Sequence, residues 1–284
     1  MSRTPRCALA LAVALGAFLG AARAGATPST EIWIPSVDVQ AFLVPHLNFD
    51  TYVRTRAEPD GTRKPPLWLF GPTIGVLPWQ KVQLEIGFDL IWQGIEALDK
   101  YPIYFHGKLG TPEDAWFKWS PALVAGVYNV GVKSDLTTQN IVYGLLGRTF
   151  PVVGRLSGGY WYGNSELFID EQGRKANHGA LAAWDRTMKE ITPKLWLCVD
   201  YQGSASWIGA VNFGFAWAFT DNISMIFAYD LYTNRTKGYG PTGTPFLVPG
   251  RDTFTVQLDI NLDRLVKSKP APAASAPAAP APSP

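Results

Sequence analysis

Acid–base chemistry in this chain would have to draw on three histidines, His46, His106 and His178, and thiol chemistry on Cys7 or Cys198. His178 opens an apolar-patterned segment, and Ser165, Ser204 and Ser206 lie in neighbouring loop segments. A lipid hydrolase or acyltransferase would need one of those hydroxyls within hydrogen-bond reach of the imidazole, with a third group orienting the ring. No spacing links them, and a histidine at a loop end is the plainer reading. The sequence has no His-x-x-x-His, no zinc spacing, and no glycine-rich phosphate loop between a strand and a helix. The run Gly154-Arg155-Leu156-Ser157-Gly158-Gly159-Tyr160 lies among strand patterns, where glycines permit curvature or close aromatic packing. The residues therefore nominate no catalytic group, no metal site and no cofactor.

A second set of residues carries electrostatic chemistry instead. Glu85, Asp89, His106, Lys108, Arg148, Asp185, Lys194, Asp200, Asp230 and Asp259 fall in segments where polar and apolar residues alternate. Arg155 joins them on a weaker pattern. Counted from the turns, Glu85, Lys108, Arg148, Asp185, Lys194 and Asp259 belong near one end of their segments, and Asp89, Asp200 and Asp230 nearer the other. Two readings follow. Opposite charges pair across a narrow interior and fill it, or the three aspartates form an acidic vestibule above a mixed-sign constriction that orients polar solutes.

The elements that must position these groups are β-strands. Val82, Leu84, Ile86, Phe88, Leu90 and Trp92 alternate with Gln83, Glu85, Gly87, Asp89 and Gln93, as a strand with one greasy and one wet face requires. The pattern returns in Phe213 to Phe219, Ile223 to Leu231 and Phe254 to Leu262. Strands are expected over 36–54, 67–77, 81–93, 102–110, 118–131, 140–149, 153–163, 178–188, 194–202, 207–220, 223–233 and 252–263. Pro45 makes the first of these one bent strand or two short ones, and the even count favours one. Connections alternate between short turns and long loops, the habit of outer-membrane barrels with short periplasmic turns. The expected fold is all-β, a closed antiparallel transmembrane barrel of twelve strands. In that topology Trp33, Trp79, Trp116 and Trp119 fall at the periplasmic ends and Trp68, Trp92, Trp161 and Trp207 at the external ends, the two girdles such a barrel carries.

The two termini read differently. Arg3 and Arg6, an apolar run from Ala8 to Ala22 and small residues at Ala22 and Ala24 describe a secretory signal over 1–24, cut after Ala24 or alternatively Ala26. Its loss removes Arg3, Arg6 and Arg23 and takes the formal net charge from +2 to −1, which offers no electrostatic case for nucleic acid. Only Cys198 then remains, and one thiol forms no internal disulfide. Residues 25–265 make the barrel. Residues 266–284, rich in proline and alanine, are expected as an extended periplasmic tail in reach of peptidoglycan.

The stretch Phe213 to Asn234, Phe-Gly-Phe-Ala-Trp-Ala-Phe-Thr-Asp-Asn-Ile-Ser-Met-Ile-Phe-Ala-Tyr-Asp-Leu-Tyr-Thr-Asn, resembles Gram-negative outer-membrane β-barrel proteins. It is similar in style to the porin-like group named for the meta-pathway of phenol degradation. The motifs are generic to barrels and carry over no functional residue. One departure is that Leu262 is followed by about twenty more residues, where such barrels end on an aromatic last strand. The resemblance implies an outer-membrane location, contact with membrane lipid, and a passive channel for small polar or aromatic solutes. A non-conducting structural or adhesive barrel and a lipid-modifying enzyme at the rim are the alternatives.

Overall fold

The computed structural model describes residues 29–57, 61–63, 65–170, 172–233 and 252–262. The expected signal over 1–24 and the tail over 266–284 lie outside these residues, as does most of the loop between the last two strands.

Twelve antiparallel strands close into one barrel in simple up-and-down order, with the first strand paired to the last. They are β1 (Pro45–Arg54), β2 (Leu67–Gly75), β3 (Gln83–Trp92), β4 (Ile103–Thr111), β5 (Ala122–Gly131) and β6 (Thr138–Phe150), followed by β7 (Gly154–Tyr162), β8 (His178–Thr187), β9 (Leu195–Gln202), β10 (Ala210–Ala218), β11 (Ile223–Tyr232) and β12 (Thr253–Asn261). Closure at the β1–β12 seam, from His46 opposite Asn261 to Arg54 opposite Thr253, leaves no free sheet edge. Among the described residues the only helix is the single turn Glu96–Asp99, and no helix is long and apolar enough to cross a membrane. The strands make the crossing.

Alternation places Phe49, Ile86, Phe105, Leu123, Leu146, Phe213, Phe215 and Phe254 on the outer surface, each more than 40% exposed, as one continuous apolar band. Water would not leave so much apolar surface uncovered, and hydrocarbon accepts it. The short turns gather at one end, here called the lower end, and the longer loops at the upper end. There Leu98, Leu167, Ile95, Leu136 and Trp207 form a small apolar cluster that draws several loops together.

The first strand departs from its expected span. It begins at Pro45, and residues 36–44 do not extend it. Proline has no N–H for a ladder and is at home as a strand's first residue. Leu43 just before it adopts a left-handed backbone (φ 56°), so the chain turns there. The segment ahead of Leu43 passes into the barrel. Its close approach requires Gly75, where a Cβ would lie 2.2 Å from the carbonyl oxygen of Gln40.

Candidate functional site

The segment that enters the lumen is a tight hairpin, Ser29 to Ser36. Thr30 pairs antiparallel with Pro35, Glu31 N–H donates to Ile34 O at 2.8 Å, and Ser36 N–H to Ser29 O at 3.2 Å. Its tip points to the upper end, where the Trp33 ring meets Tyr52 and Tyr232 edge-on at 5.6 and 5.7 Å.

Three polar attachments hold it, each from a different part of the wall. On β9, Asp200 Oδ2 accepts the N–H groups of Ile32 and Trp33 at 2.8 Å each, while Asn212 Nδ2 donates to its Oδ1 at 2.6 Å. On β7, the Arg155 guanidinium reaches Asp185 (2.7 Å), Asp38 (2.6 Å) and Glu31 (3.2 Å) at once. On β4, Lys108 Nζ donates to Ser36 O (3.2 Å) and Ser29 O (3.3 Å) and lies 3.4 Å from Glu85, whose other oxygen accepts Gln40 N–H at 2.6 Å. Buried charges are stable only when paired and bonded in this way. Between the attachments, Ile34 and Val37 pack against Val124, Ile141, Tyr143, Leu145, Trp161 and Leu181. Apart from Arg155, Asp185 and Gln139, the inner face of β5 to β8 is therefore largely apolar because it covers the hairpin.

On the other side a cavity of about 170 Å³ remains between the hairpin and the wall from β1 to β6. Asn48, Asp50, Asp89, His46 and His106 line it, with Tyr52, Leu69, Ile91 and Trp33 above. His106 Nδ1 donates to Asp89 at 3.1 Å, and its Nε2 shares a hydrogen bond with the Thr73 hydroxyl at 2.9 Å. His46 Nδ1 donates to Asn261 Oδ1 at 3.1 Å, and its Nε2 lies 3.6 Å from Asp259. Among the described residues, no three histidine, cysteine or acidic side chains gather as a metal ion would need.

The structure brings together Glu85 with Lys108, and Asp89 with His106, on the inner wall. Asp185, Asp200, Asp230 and Asp259 are inner and buried too. Asp89, Asp200 and Asp230 do not form one vestibule, because Asp200 holds the hairpin, Asp230 accepts the Thr253 hydroxyl at 2.6 Å and Asp89 holds His106. Arg148 shares its face of β6 with Val142 and Leu146, so it points outward, bonding Asp114 in the β4–β5 turn at 2.8 Å. Lys194 precedes β9 in a turn and is exposed. Glu31, Asn48 and Asp50 are the groups sequence reading missed. The alternate spacing His46, Asn48, Asp50 was the available signal for the last two.

Of the expected girdle, Trp68 and Trp92 stand side by side on the outer surface at the upper end, and Trp79, Trp116 and Trp119 at the lower end. Lys81 and Arg148 lie over the rings of Trp116 and Trp119 at 5.5 and 4.6 Å. Trp33, Trp161 and Trp207 are not in the girdles. Trp33 belongs to the hairpin, Trp161 faces inward and donates to Gly203 O at 3.0 Å, and Trp207 stacks on Phe168 among the upper loops. His178 hydrogen-bonds to the Tyr160 hydroxyl on the outer face, whereas Ser204 bonds to Ala176 O and to Ser206. Neither serine is paired with the imidazole.

Fold and surface together define a transmembrane β-barrel of twelve strands with an N-terminal segment in its lumen. No protein-family model and no curated protein matches the chain. Similar solved structures include the NanC porin, at 9% identity and a TM-score of 0.43, covering 76% of this chain and 98% of that one. Others are the outer membrane phospholipase A of Escherichia coli, at 11% and 0.44 with 80% and 99% covered, and Salmonella typhi OmpF in complex with daunomycin, at 8% and 0.38 with 77% and 96% covered.

Proposed function

We propose that this chain is an outer-membrane barrel of a Gram-negative bacterium, a passive conduit for small polar or aromatic solutes whose lumen the N-terminal hairpin keeps closed. The observation that carries the reading is the division of the lumen. Interiors packed for stability leave few voids larger than a water molecule, yet here a cavity of about 170 Å³, lined by both polar and apolar side chains, runs beside the hairpin. The hairpin is attached by hydrogen bonds and ion pairs, and its backbone joins no strand of the wall. Such an element leaves the lumen without tearing the sheet. The apolar outer band and the two tryptophan rows support a membrane position.

The packing of Ile34 and Val37 against the β5–β8 wall favours a second reading, a permanently closed structural or adhesive barrel. Planar-bilayer recording separates the two. The conduit reading expects small or brief conductance from the refolded chain and large, sustained conductance when residues 29–40 are deleted. Silence from both proteins would establish the closed barrel instead. Contact of the tail with peptidoglycan belongs to the same proposal, and co-sedimentation with purified sacculi, with and without residues 266–284, tests it.

A further inference from the structure

The cavity wall gathers more hydrogen-bond acceptors than donors at one point. Asp259, Asn48, Gly71 and Asp89 lie side by side across β12, β1, β2 and β3. Because residue 71 is glycine, two oxygens lean over it into one notch. A Cβ there would stand 2.1 Å from Asp89 Oδ1 and 2.5 Å from Asn48 Oδ1. An amide side chain carries hydrogen-bond donors at one end only. Asn48 directs that end to Asp50 Oδ2 at 3.1 Å, so its oxygen faces the carboxylate of Asp89. Turning the amide over would only change which carboxylate meets an oxygen.

Asp50, one inward position above, is 9% exposed and lines the cavity, and its Oδ1 has no hydrogen-bond partner. Gln202 Oε1 and Trp33 Nε1 are also buried and unpartnered in the same cavity. The basic side chains nearby are engaged or shared. Lys108 pairs with Glu85 and the hairpin carbonyls, His106 bonds the far oxygen of Asp89, and His46 sits beside Asp259. Above the notch the wall turns apolar at Leu69 and Ile91, next to the edge-on pair of Trp33 and Tyr52.

We propose that this cavity binds a small organic cation, its ammonium head in the notch formed by Asp50, Asn48 and Asp89 over Gly71, and its apolar or aromatic body against Leu69, Ile91 and Trp33. An ammonium group supplies the three donors that the facing oxygens need, and its flank is attracted to an aromatic face. A protein cavity of roughly 150 Å³ accepts a benzene ring, so about 170 Å³ suits a single-ring amine. The site goes beyond the conduit reading, since a barrel that conducts nothing would still bind at it.

Calorimetric titration of the refolded chain in detergent with benzylamine, benzyl alcohol and benzoate tests the proposal. Benzylamine is expected to bind saturably at one site, at least about tenfold tighter than the neutral and anionic analogues, because the amine alone brings enough donors, and a positive charge, to the acceptor oxygens of the notch. Asp50→Asn and Asp89→Asn should each weaken it about tenfold, and Gly71→Ala should do the same by placing a methyl group in the notch. The heat-dependent gel shift of a folded barrel identifies variants that have lost the fold. Equal uptake of benzylamine and benzyl alcohol by the unmodified chain, or no saturable uptake of benzylamine, overturns the site without any variant being needed.

Discussion

Asp200 Oδ2 accepts the backbone N–H of Ile32 at 2.8 Å, joining residues 168 positions apart in the chain. A carboxylate that accepts main-chain donors binds the path of the backbone and is indifferent to the side chains it carries. The tip of the hairpin is thus fixed in place, while Arg155, gripping Glu31, Asp38 and Asp185, fixes its base. These two attachments lie on β9 and β7, while the third, Lys108 with Glu85 on β4 and β3, holds the base of the hairpin from across the lumen, so the cavity remains beside a hairpin tied on both sides.

Removing either attachment should free the hairpin, and Cys198 reports it. Its thiol is 1% exposed, faces inward on β9 beside Asp200, and lies 3.7 Å from Glu31 Oε2. In Asp200→Ala the buried N–H groups of Ile32 and Trp33 lose their acceptor, at a cost of about 1–3 kcal/mol. Arg155→Met leaves Glu31 and Asp185 uncompensated, at roughly 3–5 kcal/mol. Labelling of Cys198 by a small water-soluble thiol reagent should accelerate in both, more in Arg155→Met. Rates unchanged from the parent protein in both variants would mean that neither Asp200 nor Arg155 holds the hairpin, leaving its apolar contacts and the Lys108–Glu85 attachment to do so.

The barrel was legible in the sequence because one face of most strands meets hydrocarbon and the other meets polar groups, so alternation survives. All twelve strands lie where the periodicity puts them, apart from the starts of β1, β5 and β10, which begin at Pro45, Ala122 and Ala210 instead of residues 36, 118 and 207. The phase was lost where the inner face covers the hairpin. On β6, Ile141, Tyr143 and Leu145 point in while Val142 and Leu146 point out, both sets apolar, and so Arg148 was given the wrong side. Trp161 on β7 was misplaced for the same reason. The hairpin itself was invisible, since Ile32, Ile34 and Val37 give no sign that what they meet is the inside of their own barrel.

Tryptophan position provides a direct check on membrane depth and side. Trp68 and Trp92 at the upper end, and Trp79, Trp116 and Trp119 at the lower end, are exposed on the outer surface, whereas Trp33, Trp161, Trp196 and Trp207 are enclosed. In single-tryptophan variants reconstituted in brominated lipid, the first five should be quenched and the last four should not. Quenching of Trp161 or Trp196 by lipid would contradict the inward face assigned here to β7 and β9.

Acid should weaken one contact at the lower rim in a defined direction. The hydrogen bond from Arg148, joined by the Trp119 N–H at 2.7 Å, holds the Asp114 carboxyl below its ordinary value of 3.8. A lowered folded-state value means that the contribution is whole above pH 3.8 and disappears as pH falls through the lowered value. Asp114 should therefore titrate at higher pH in Arg148→Ala, as followed by carboxyl NMR shifts, and the stability gap between the two proteins should narrow in strong acid to what the Ser120 O and Trp119 contacts of Arg148 contribute. An Asp114 titration that does not move would show that the turn backbone, and not Arg148, sets its acidity.

The glycine pair in β7 separates curvature from mere tolerance of small residues. A Cβ on Gly159 would fall 2.0 Å from Gly144 O and 2.9 Å from Leu145 Cα on the neighbouring strand, whereas one on Gly158 would meet nothing nearer than Leu181 O at 3.9 Å. Backbone cannot yield as a flexible side chain does, so β6 and β7 come this close only because residue 159 has no side chain. Gly159→Ala should destabilise the barrel by about 1–3 kcal/mol, the usual range for overpacking, seen as a lower denaturation midpoint and a smaller folded fraction. Gly158→Ala should stay within about 0.5 kcal/mol of the parent. Equal losses from the two substitutions would remove the packing account and leave only the general preference of strands against change, whereas a loss confined to Gly159 would fix the place where the wall bends around the hairpin.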